Sequence, residues 1–277
     1  MDLYLSLSAY GGVSTRQALT VFAEAGVQKV ELAIGVKPDA DASIAIQGFR
    51  QQGMQFRAHH AFVWESRHRP FNLAAPLKID DFERMADWLA EQEITAYSVH
   101  PGHYENDSRS GRLSARQRLC QRQPEAAWQL FLANLEKLDA ICKQRQIELA
   151  VETMYDSSQE SGQRYFLDSL DSIKALRSAM PDLTWVLDLS HLNIRWNDRI
   201  EERLKVIDCI ADRLSEIHIS DNDGQRDLHA RITDKTWWIP WRDRLPKGIP
   251  LVLETRLNHL PATAIRSEYE RVRSLFS

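Results

Sequence analysis

Histidines and acidic residues recur just after short apolar runs in this chain of 277 residues. The densest group lies in the stretch EIHISDNDGQRDLHAR (216–231), where two histidines and three aspartates fall within a dozen residues. Carboxylate oxygens and imidazole nitrogens are the ligands that zinc, manganese and related divalent ions prefer. The stretch therefore has the composition of a metal site or of a solvated acidic loop, and partners elsewhere in the chain must decide between the two.

Similar side chains stand at the ends of five other apolar runs. These are His59 and His60 in QFRAHHAF, His100 in AYSVH, Glu152 in IELAVET, Asp188 with His191 in TWVLDLSH, and Glu254 in IPLVLET. Taken singly, such a carboxylate often caps the next helix, and a lone histidine is more often structural than a ligand. Their recurrence at equivalent points of a repeat favours a shared site.

The apolar runs alternate with segments of helical period. Strands are predicted at 3–8, 29–35, 55–62, 96–100, 147–153, 184–191, 215–221 and 249–255, and helices at 15–26, 41–52, 80–93, 124–145, 166–179, 200–212 and 261–276. This alternation predicts parallel β-α-β units. Eight of them in a chain of this length predict an α/β fold with one (β/α)8 TIM barrel over residues 1–277. An open doubly wound sheet would place a glycine-rich phosphate turn after the first strand, and SAYGG (8–12) matches that turn poorly.

The strands of a TIM barrel all end at one face, where catalytic groups lie. Six of the eight predicted strands end in a side chain that can bind a metal, so we expect these side chains to converge. Alternation along the fifth strand agrees, because a Glu152 that faces the barrel interior leaves Leu149 and Val151 facing the helices. Several carboxylates at one barrel mouth would repel one another, whereas a divalent cation reverses that effect. The sequence therefore predicts a metal site.

These motifs, in their order along nearly the whole chain, resemble the xylose isomerase-like barrel superfamily. The resemblance lies in AVET, LDLSH, IHISD and LVLET. It implies that one divalent ion is held at the positions that match the family's metal ligands, which are Glu152, Asp188, His218 and Glu254. In the sugar isomerases and epimerases of this group, the two glutamates are also the acid and base that move a proton next to a carbonyl. The position of His191 commonly contacts substrate there.

The superfamily also contains the endonuclease IV type of abasic-site nuclease, which holds three zinc ions with a larger ligand set. Its additional ligands match His60 in HAF, His100 in HPG, His191 in LDLSH, and Asp227 and His229 in DLH. The HAF likeness favours His60 over His59. The chain departs from the nuclease pattern in having VELAIG after its second strand and RITDKTWWIPW after DLH. The implied cofactor is one to three divalent ions of zinc, manganese, cobalt or magnesium.

The main functional interpretation is a metal-dependent isomerase or epimerase of a sugar, keto-sugar or sugar phosphate. One divalent ion on three carboxylates leaves a charge of about −1, which suits a neutral sugar, whereas three ions on four carboxylates leave about +2, which suits a phosphodiester. The alternatives are a tri-zinc phosphodiesterase acting on abasic DNA and a non-catalytic sugar-binding barrel. The intact pair of Glu152 and Glu254 counts against a pure binder. A lyase or dehydratase would use the same proton abstraction.

Loop residues supply further candidates for substrate contact. Trp64 follows His60, and Arg231 follows the Asp227–His229 pair. The indoles of Trp237 and Trp238 suit the apolar face of a sugar ring, and they would equally suit packing. The segment RSGRLSARQRLCQR (109–122) contains five arginines and no acid. It would attract a phosphate, although a solvated basic loop is the simpler interpretation.

The composition is that of an ordinary globular protein, with 43% hydrophobic residues and a net charge of −4. This balance does not indicate nucleic acid or an anionic membrane as a partner. No apolar run approaches the ~18 residues that span a bilayer, and the first residues lack the basic segment of a signal peptide. Three widely spaced cysteines give neither a disulfide framework nor a metal pair.

We expect a cytoplasmic protein with a small-molecule sugar as its partner. Homo-oligomers are common among the isomerases of this group, but no segment maps an interface.

Overall fold

The computed structural model describes residues 2–64, 71–105, 124–156 and 163–276. Its strands are β1 (Leu3–Ser6), β2 (Lys29–Leu32), β3 (Gln55–His59), β4 (Ala96–Val99), β5 (His103–Glu105), β6 (Glu148–Glu152), β7 (Gln163–Tyr165), β8 (Thr184–Asp188), β9 (Leu214–Ile219) and β10 (Leu251–Leu253). Eight of them form a closed barrel in the order β1-β2-β3-β4-β6-β8-β9-β10, with β10 pairing back to β1. All eight pairings are parallel. The strands β5 and β7 form a separate antiparallel pair.

Helices connect the barrel strands. They are α1 (Thr15–Glu24), α2 (Ala42–Gln51), α3 (Ile79–Glu91), α4 (Pro124–Gln144), α5 (Leu170–Ala179), α6 (Leu189–Arg195), α7 (Ile200–Ile210) and α8 (Ala262–Ser274). Three short 3-10 helices cover Leu7–Tyr10, Ala211–Arg213 and Ile239–Arg244. Within the described ranges, none of the helices combines the length and the apolar composition that crossing a membrane requires.

The predicted TIM barrel is confirmed, and all eight predicted barrel strands form. The strand predicted at 184–191 is too long, because β8 ends at Asp188. The carboxylate of Asp188 accepts a hydrogen bond of 2.8 Å from the backbone N–H of His191 and so caps the N-terminus of α6. The helix predicted from 166 begins only at Leu170, where Ser169 and Ser172 form a reciprocal capping box. The antiparallel pair of β5 and β7 contains no apolar run and was not predicted.

The outer faces of the strands pack beneath the helices. Leu149 and Val151 of β6 are buried at 3% and 0% exposure, and β6 contacts α4. Most of the apolar core lies in this layer between barrel and helices. Burial of a leucine or valine side chain contributes about 1.5–3 kcal/mol, so this shell supplies much of the stability that fixes the strand ends.

The barrel interior contains polar side chains, whereas TIM barrels are usually filled by branched apolar ones. Glu31, His59, Glu216 and His218 come from β2, β3 and β9, and each is at most 5% exposed. Arg57 of β3 lies among them and makes an ion pair with Glu216. Buried charges are costly unless they are paired or bind a metal. The burial of these acidic and basic side chains therefore requires that they pair with one another or bind a cation.

Candidate metal centre

Four of the predicted ligands meet at the carboxyl ends of the barrel strands. Glu152 ends β6, Asp188 ends β8, His218 lies in β9, and Glu254 follows β10. The Nδ1 atom of His218 is 3.6 Å from Oε1 of Glu152 and 3.6 Å from Oε2 of Glu254. Ligand atoms of Glu152, Asp188 and His218 all lie within 4.8 Å of one another. All four residues are at most 7% exposed, so the fold has gathered them out of bulk water.

Several buried ligand atoms of this group have ion-pair contacts but no hydrogen bond with the described residues. Within the described parts of the chain, Oε2 of Glu152 and both ring nitrogens of His218 are buried and make no hydrogen bond of normal geometry. Leaving a buried polar atom unsatisfied costs about 1–3 kcal/mol, and more for a charged group. A divalent cation would satisfy these atoms, and the mixture of carboxylate and imidazole donors is one that zinc and manganese accept. The residues present therefore fit the metal that the sequence predicts.

A second donor set adjoins the first and shares Glu152. The Nε2 atoms of His59 and His100 are 3.0 Å apart. They lie 3.5 Å and 3.1 Å, respectively, from Oε2 of Glu152. Ligand atoms of these three residues fall within 4.8 Å of one another. Two imidazole nitrogens that face each other over a carboxylate form a second set able to hold an ion.

The structure brings His59 to Glu152, and the preference for His60 is not supported. His59 is the last residue of β3 and faces the barrel interior, where its Nδ1 is 2.9 Å from Oγ of Ser98. His60 follows with a positive φ of 44°. Its ring stacks on that of His100 with the ring centroids 4.3 Å apart, and it packs against the ring of Phe71 with a centroid distance of 4.5 Å. His60 therefore supports the His100 ring and lies beside the donor set.

A third group joins the loop after β9 to the same centre. Oδ2 of Asp227 is 3.1 Å from Nε2 of His229 and 3.7 Å from Nε2 of His191. His191 also donates from Nδ1 to the carbonyl of Thr153 at 2.8 Å, and this nitrogen is 3.4 Å from Oε1 of Glu152. His191 thus links Asp227 and His229 to Glu152.

The other two aspartates of the stretch 216–231, Asp221 and Asp223, shape its loop. The backbone of Asp221 pairs with that of Ala230, and its carboxylate accepts a hydrogen bond from Thr236. Asp223 accepts from the backbone N–H groups of Gln225 and Arg226. Both carboxylates are thus engaged in local turns that position Asp227 and His229.

Two residues that were predicted to contact substrate, Trp64 and Arg231, make their contacts with the apolar core and with α8. Trp64 is 5% exposed and packs on Trp88 of α3 with ring centroids 6.0 Å apart. Arg231 is exposed and pairs with the buried Glu268 of α8. The first side chain is part of the apolar core, and the second is held on the outer helix layer.

The two loop tryptophans are used in packing. The indole N–H of Trp237 donates to the carbonyl of Leu189 at 2.9 Å, and the guanidinium of Arg203 lies 4.5 Å from its ring. Trp238 is 1% exposed and stacks on Phe276. Packing is therefore the interpretation that the contacts favour. The basic segment 109–122 lies outside the described residues.

The two glutamates of the centre occupy environments that shift their pKa values in opposite directions. Burial raises the pKa of Glu152, but the neighbouring imidazoles, led by His100, outweigh it and hold this pKa well below its usual value. Burial raises the pKa of Glu254 to about 8. At neutral pH the metal-free site therefore holds an ionised Glu152 and a protonated Glu254. Two carboxyls whose pKa values are shifted apart in this way are typical of a catalytic acid and base pair.

The histidines of the centre hold protons in the absence of a cation. Burial lowers the pKa of His218, but the acidic groups around it, led by Glu31, outweigh burial and keep this pKa well above its usual value. His229 behaves similarly beside Asp227, which raises its pKa to about 9 against the effect of burial. His59 differs, because burial lowers its pKa to about 3. It is therefore a neutral imidazole, the form that binds metal.

Three interior residues that sequence reasoning missed lie beneath the centre. Glu31 of β2 and Glu216 of β9 both face Nε2 of His218, at 3.2 Å and 3.5 Å. Arg57 of β3 pairs with Glu216 at 2.5 Å. Glu216 stands two residues before His218, and Arg57 two before His59, so period-two alternation places each on the interior face. That alternation could have identified them.

Comparisons with known proteins agree with the architecture. The family model described as a xylose isomerase-like TIM barrel matches residues 19–275. A search of curated protein sequences finds no match. Among solved structures, a D-tagatose 3-epimerase-like protein superposes with a TM-score of 0.73 at 14% identity, covering 100% of this chain and 97% of that one.

Two further solved structures have similar coverage. The 3-keto-D-glucoside 4-epimerase of E. coli has a TM-score of 0.67 at 13% identity, and the match covers 99% of both chains. The D-allulose 3-epimerase of Methylomonas sp., solved in complex with D-allulose, has a TM-score of 0.64 at 12% identity, with 99% of this chain and 96% of that chain covered. At such identities the likeness is one of fold.

Proposed function

The chain belongs to the xylose isomerase-like TIM barrel family, and from this premise we propose that it is a divalent-metal-dependent isomerase or epimerase of a sugar or keto-sugar. The observation that carries the proposal is the placement of Glu152 and Glu254. Each has a carboxylate oxygen 3.6 Å from the same nitrogen of His218. Two carboxyls around one shared ligand suit the removal of a proton by one group and its return by the other.

The names of the similar structures support this class of substrate. They are described as epimerases of D-tagatose type, of a 3-keto-D-glucoside and of D-allulose. These sugars carry a ketone, so a carbon next to a carbonyl is available for proton transfer. We therefore propose a ketose or keto-glycoside for this chain.

The roles of the residues follow from their surroundings. Glu152, Asp188, His218 and Glu254 would hold the cation, which when bound polarises a substrate carbonyl and acidifies the neighbouring C–H. Glu152 is the stronger candidate for the base, because its pKa is held low and it is ionised at neutral pH. Glu254, with its raised pKa, is the candidate for the acid. His191 orients Glu152 through their 3.4 Å contact and is placed to contact substrate.

Hydrogen exchange with solvent tests the proposal without knowledge of the product. The protein is stripped with chelator, reloaded with Mn²⁺, and incubated in D2O with D-fructose, D-tagatose, D-allulose and a 3-keto-glucoside. We expect one carbon-bound deuterium to enter one of these sugars, as detected by mass spectrometry. Glu152→Gln should reduce the exchange rate by at least about 100-fold, the lower range for loss of a general base, while still binding some metal.

The matched control is Glu148→Gln. Glu148 lies on the same strand and, by alternation, on the same side as Glu152, but it stands at the opposite end of β6 and is exposed. It should exchange deuterium at the wild-type rate. Equal exchange by Glu152→Gln and the wild-type protein would show that Glu152 is not the base.

A second function is favoured by the additional donor sets. The group of His59, His100 and Glu152 could hold a further ion, and Asp227 lies close to both His191 and His229 beside it. Three ions at one barrel mouth would suit hydrolysis of a phosphodiester at an abasic site in DNA. Cleavage of an abasic-site oligonucleotide by the zinc-loaded protein, together with an absence of sugar exchange, would support this function instead.

A further inference from the structure

His218 presents its two ring nitrogens to two different layers of the barrel. Its Nδ1 faces Glu152 and Glu254 at the barrel mouth. Its Nε2 faces Glu31 and Glu216, deeper in the interior. The imidazole is fully buried. Whatever fixes Nε2 therefore also fixes the direction in which Nδ1 points.

Glu216 already has a partner for its charge. Its Oε2 accepts a hydrogen bond of 2.5 Å from Nε of Arg57. The guanidinium is anchored in turn by Oγ of Ser215 at 2.8 Å. The side chains of Arg57 and Glu216 are 12% and 2% exposed, so they form a buried ion pair between β3 and β9.

Ligand atoms of Glu31, His59, Glu216 and His218 fall within 4.8 Å of one another, which is small enough for a cation. The guanidinium of Arg57 already brings positive charge to Glu216, however. A second positive centre in the same layer would be repelled at low dielectric. The deep layer is therefore better suited to support His218 than to bind a metal of its own.

Glu31 has no guanidinium partner of this kind among the described residues, and the charged group that it faces is the imidazole of His218. Its side chain is fully buried, and neither oxygen makes a hydrogen bond of normal geometry with the residues described. The Nε2 of His218 lies 3.2 Å from Oε2 of Glu31, closer than it lies to Glu216. An N–H on this nitrogen would satisfy the carboxylate and fix the tautomer of the ring.

We propose that Glu31 is a positioning residue, whose buried carboxylate accepts a hydrogen bond from Nε2–H of His218 and directs Nδ1 of that ring toward the metal site. This inference rests on the proposed function, because it assumes that His218 is a metal ligand. A histidine whose second N–H donates to a carboxylate is a stronger and better oriented ligand. Loss of such an outer partner typically weakens metal affinity by about 10–100-fold.

The test is the dissociation constant of Mn²⁺ for chelator-stripped wild type and Glu31→Gln, measured from the free Mn²⁺ signal in electron paramagnetic resonance. We expect the variant to bind about 10–100-fold more weakly. The matched control is Glu268→Gln, which removes another buried carboxylate. Glu268 lies on α8 and pairs with Arg271 of the same helix and with Arg231 of the loop after β9. The control variant should be less stable but should bind Mn²⁺ within about twofold of wild type, by the usual independence of distant sites.

The outcomes separate this inference from the proposed function. A wild-type protein that binds no divalent ion overturns both. A wild type that binds Mn²⁺ and a Glu31→Gln that binds it equally well overturn the role of Glu31 alone. Should Glu31→Gln fail to fold, Glu31→Asp, which withdraws the carboxylate by one methylene, is judged by the same criterion. The Co²⁺-loaded proteins provide a second readout, because a displaced His218 changes the visible absorption of the ion.

Discussion

At the scale of single residues, the centre consists of acids and imidazoles whose proton affinities are set by burial and by one another. Glu152 is kept ionised, while Glu254, His218 and His229 keep their protons in the metal-free protein. A metal binds the deprotonated forms of these groups. A cation bound at this centre would therefore compete with protons for the same atoms.

This competition predicts a pH dependence of metal affinity. Raised pKa values mean that protons are held until the pH passes them, so affinity is reduced below those values and levels off above. With pKa values of about 8 for Glu254 and about 9 for His229, we expect the affinity of stripped protein for Mn²⁺ to rise as the pH increases through this range. Titration calorimetry at several pH values between about 6 and 9 should also detect released protons. An affinity that does not change over this range would contradict the pKa assignments.

Candidate residues at the centre were largely predictable, because each of them stands where an apolar run ends. The resemblance to the family selects Glu152, Asp188, His218 and Glu254 as one predicted ligand set, and the structure brings these four side chains together. The choice between His59 and His60 was not predictable, because a shift of one residue at a strand end moves a side chain to the other face. Glu31 went unnoticed because VELAIG was interpreted only as a family feature, although its alternation with buried valine and leucine marks an interior position.

At the scale of elements, the proposed ligands are positioned by strand ends and by the helix caps that follow them. Asp188 ends β8, and one of its oxygens caps α6 through the backbone N–H of His191. The same residue therefore terminates a strand, starts a helix and offers its other oxygen to the centre. Sequence periodicity could not separate β8 from α6, because LDLSH is apolar enough to continue a strand. The short antiparallel pair of β5 and β7 likewise has no periodic pattern from which to predict it.

The ion pair that Arg57 of β3 and Glu216 of β9 form across the barrel gives a stability prediction. Arg57→Met leaves the buried carboxylate of Glu216 without its cation. Breaking a buried ion pair in this way costs about 3–5 kcal/mol. We expect the free energy of unfolding, measured with urea on chelator-stripped protein, to fall by that amount.

Arg213→Met is the control for this substitution. Arg213 pairs with Asp182 at 3.1 Å, and both side chains are exposed, at 43% and 78%. An exposed pair contributes about 0–1 kcal/mol, so this variant should unfold near the wild-type urea concentration. Equal losses of stability in the two variants would show that the Arg57–Glu216 pair has no special importance inside the barrel.

At the scale of the whole molecule, the centre exists only when the barrel is closed. Glu152, Asp188, His218 and Glu254 come from four strands spread over about a hundred residues, and β10 pairs with β1 at the other end of the chain. Ser8, after β1, lies 3.5 Å from Glu254. The barrel itself was predictable from eight alternating strand and helix patterns, whereas the polar filling of its interior departs from the usual apolar layers and emerged from the structure.

The most direct test of the account is the metal content of the protein. Freshly purified protein, never exposed to chelator, is measured by plasma mass spectrometry beside Asp188→Asn, which keeps an oxygen for the α6 cap but lacks the ligand charge. We expect about one divalent ion per wild-type chain and a large loss of it in Asp188→Asn, because a neutral amide oxygen is a weaker donor to a divalent cation than a carboxylate oxygen. A wild-type protein without bound divalent metal, or equal metal content in the two proteins, would contradict the assignment of this centre as a metal site.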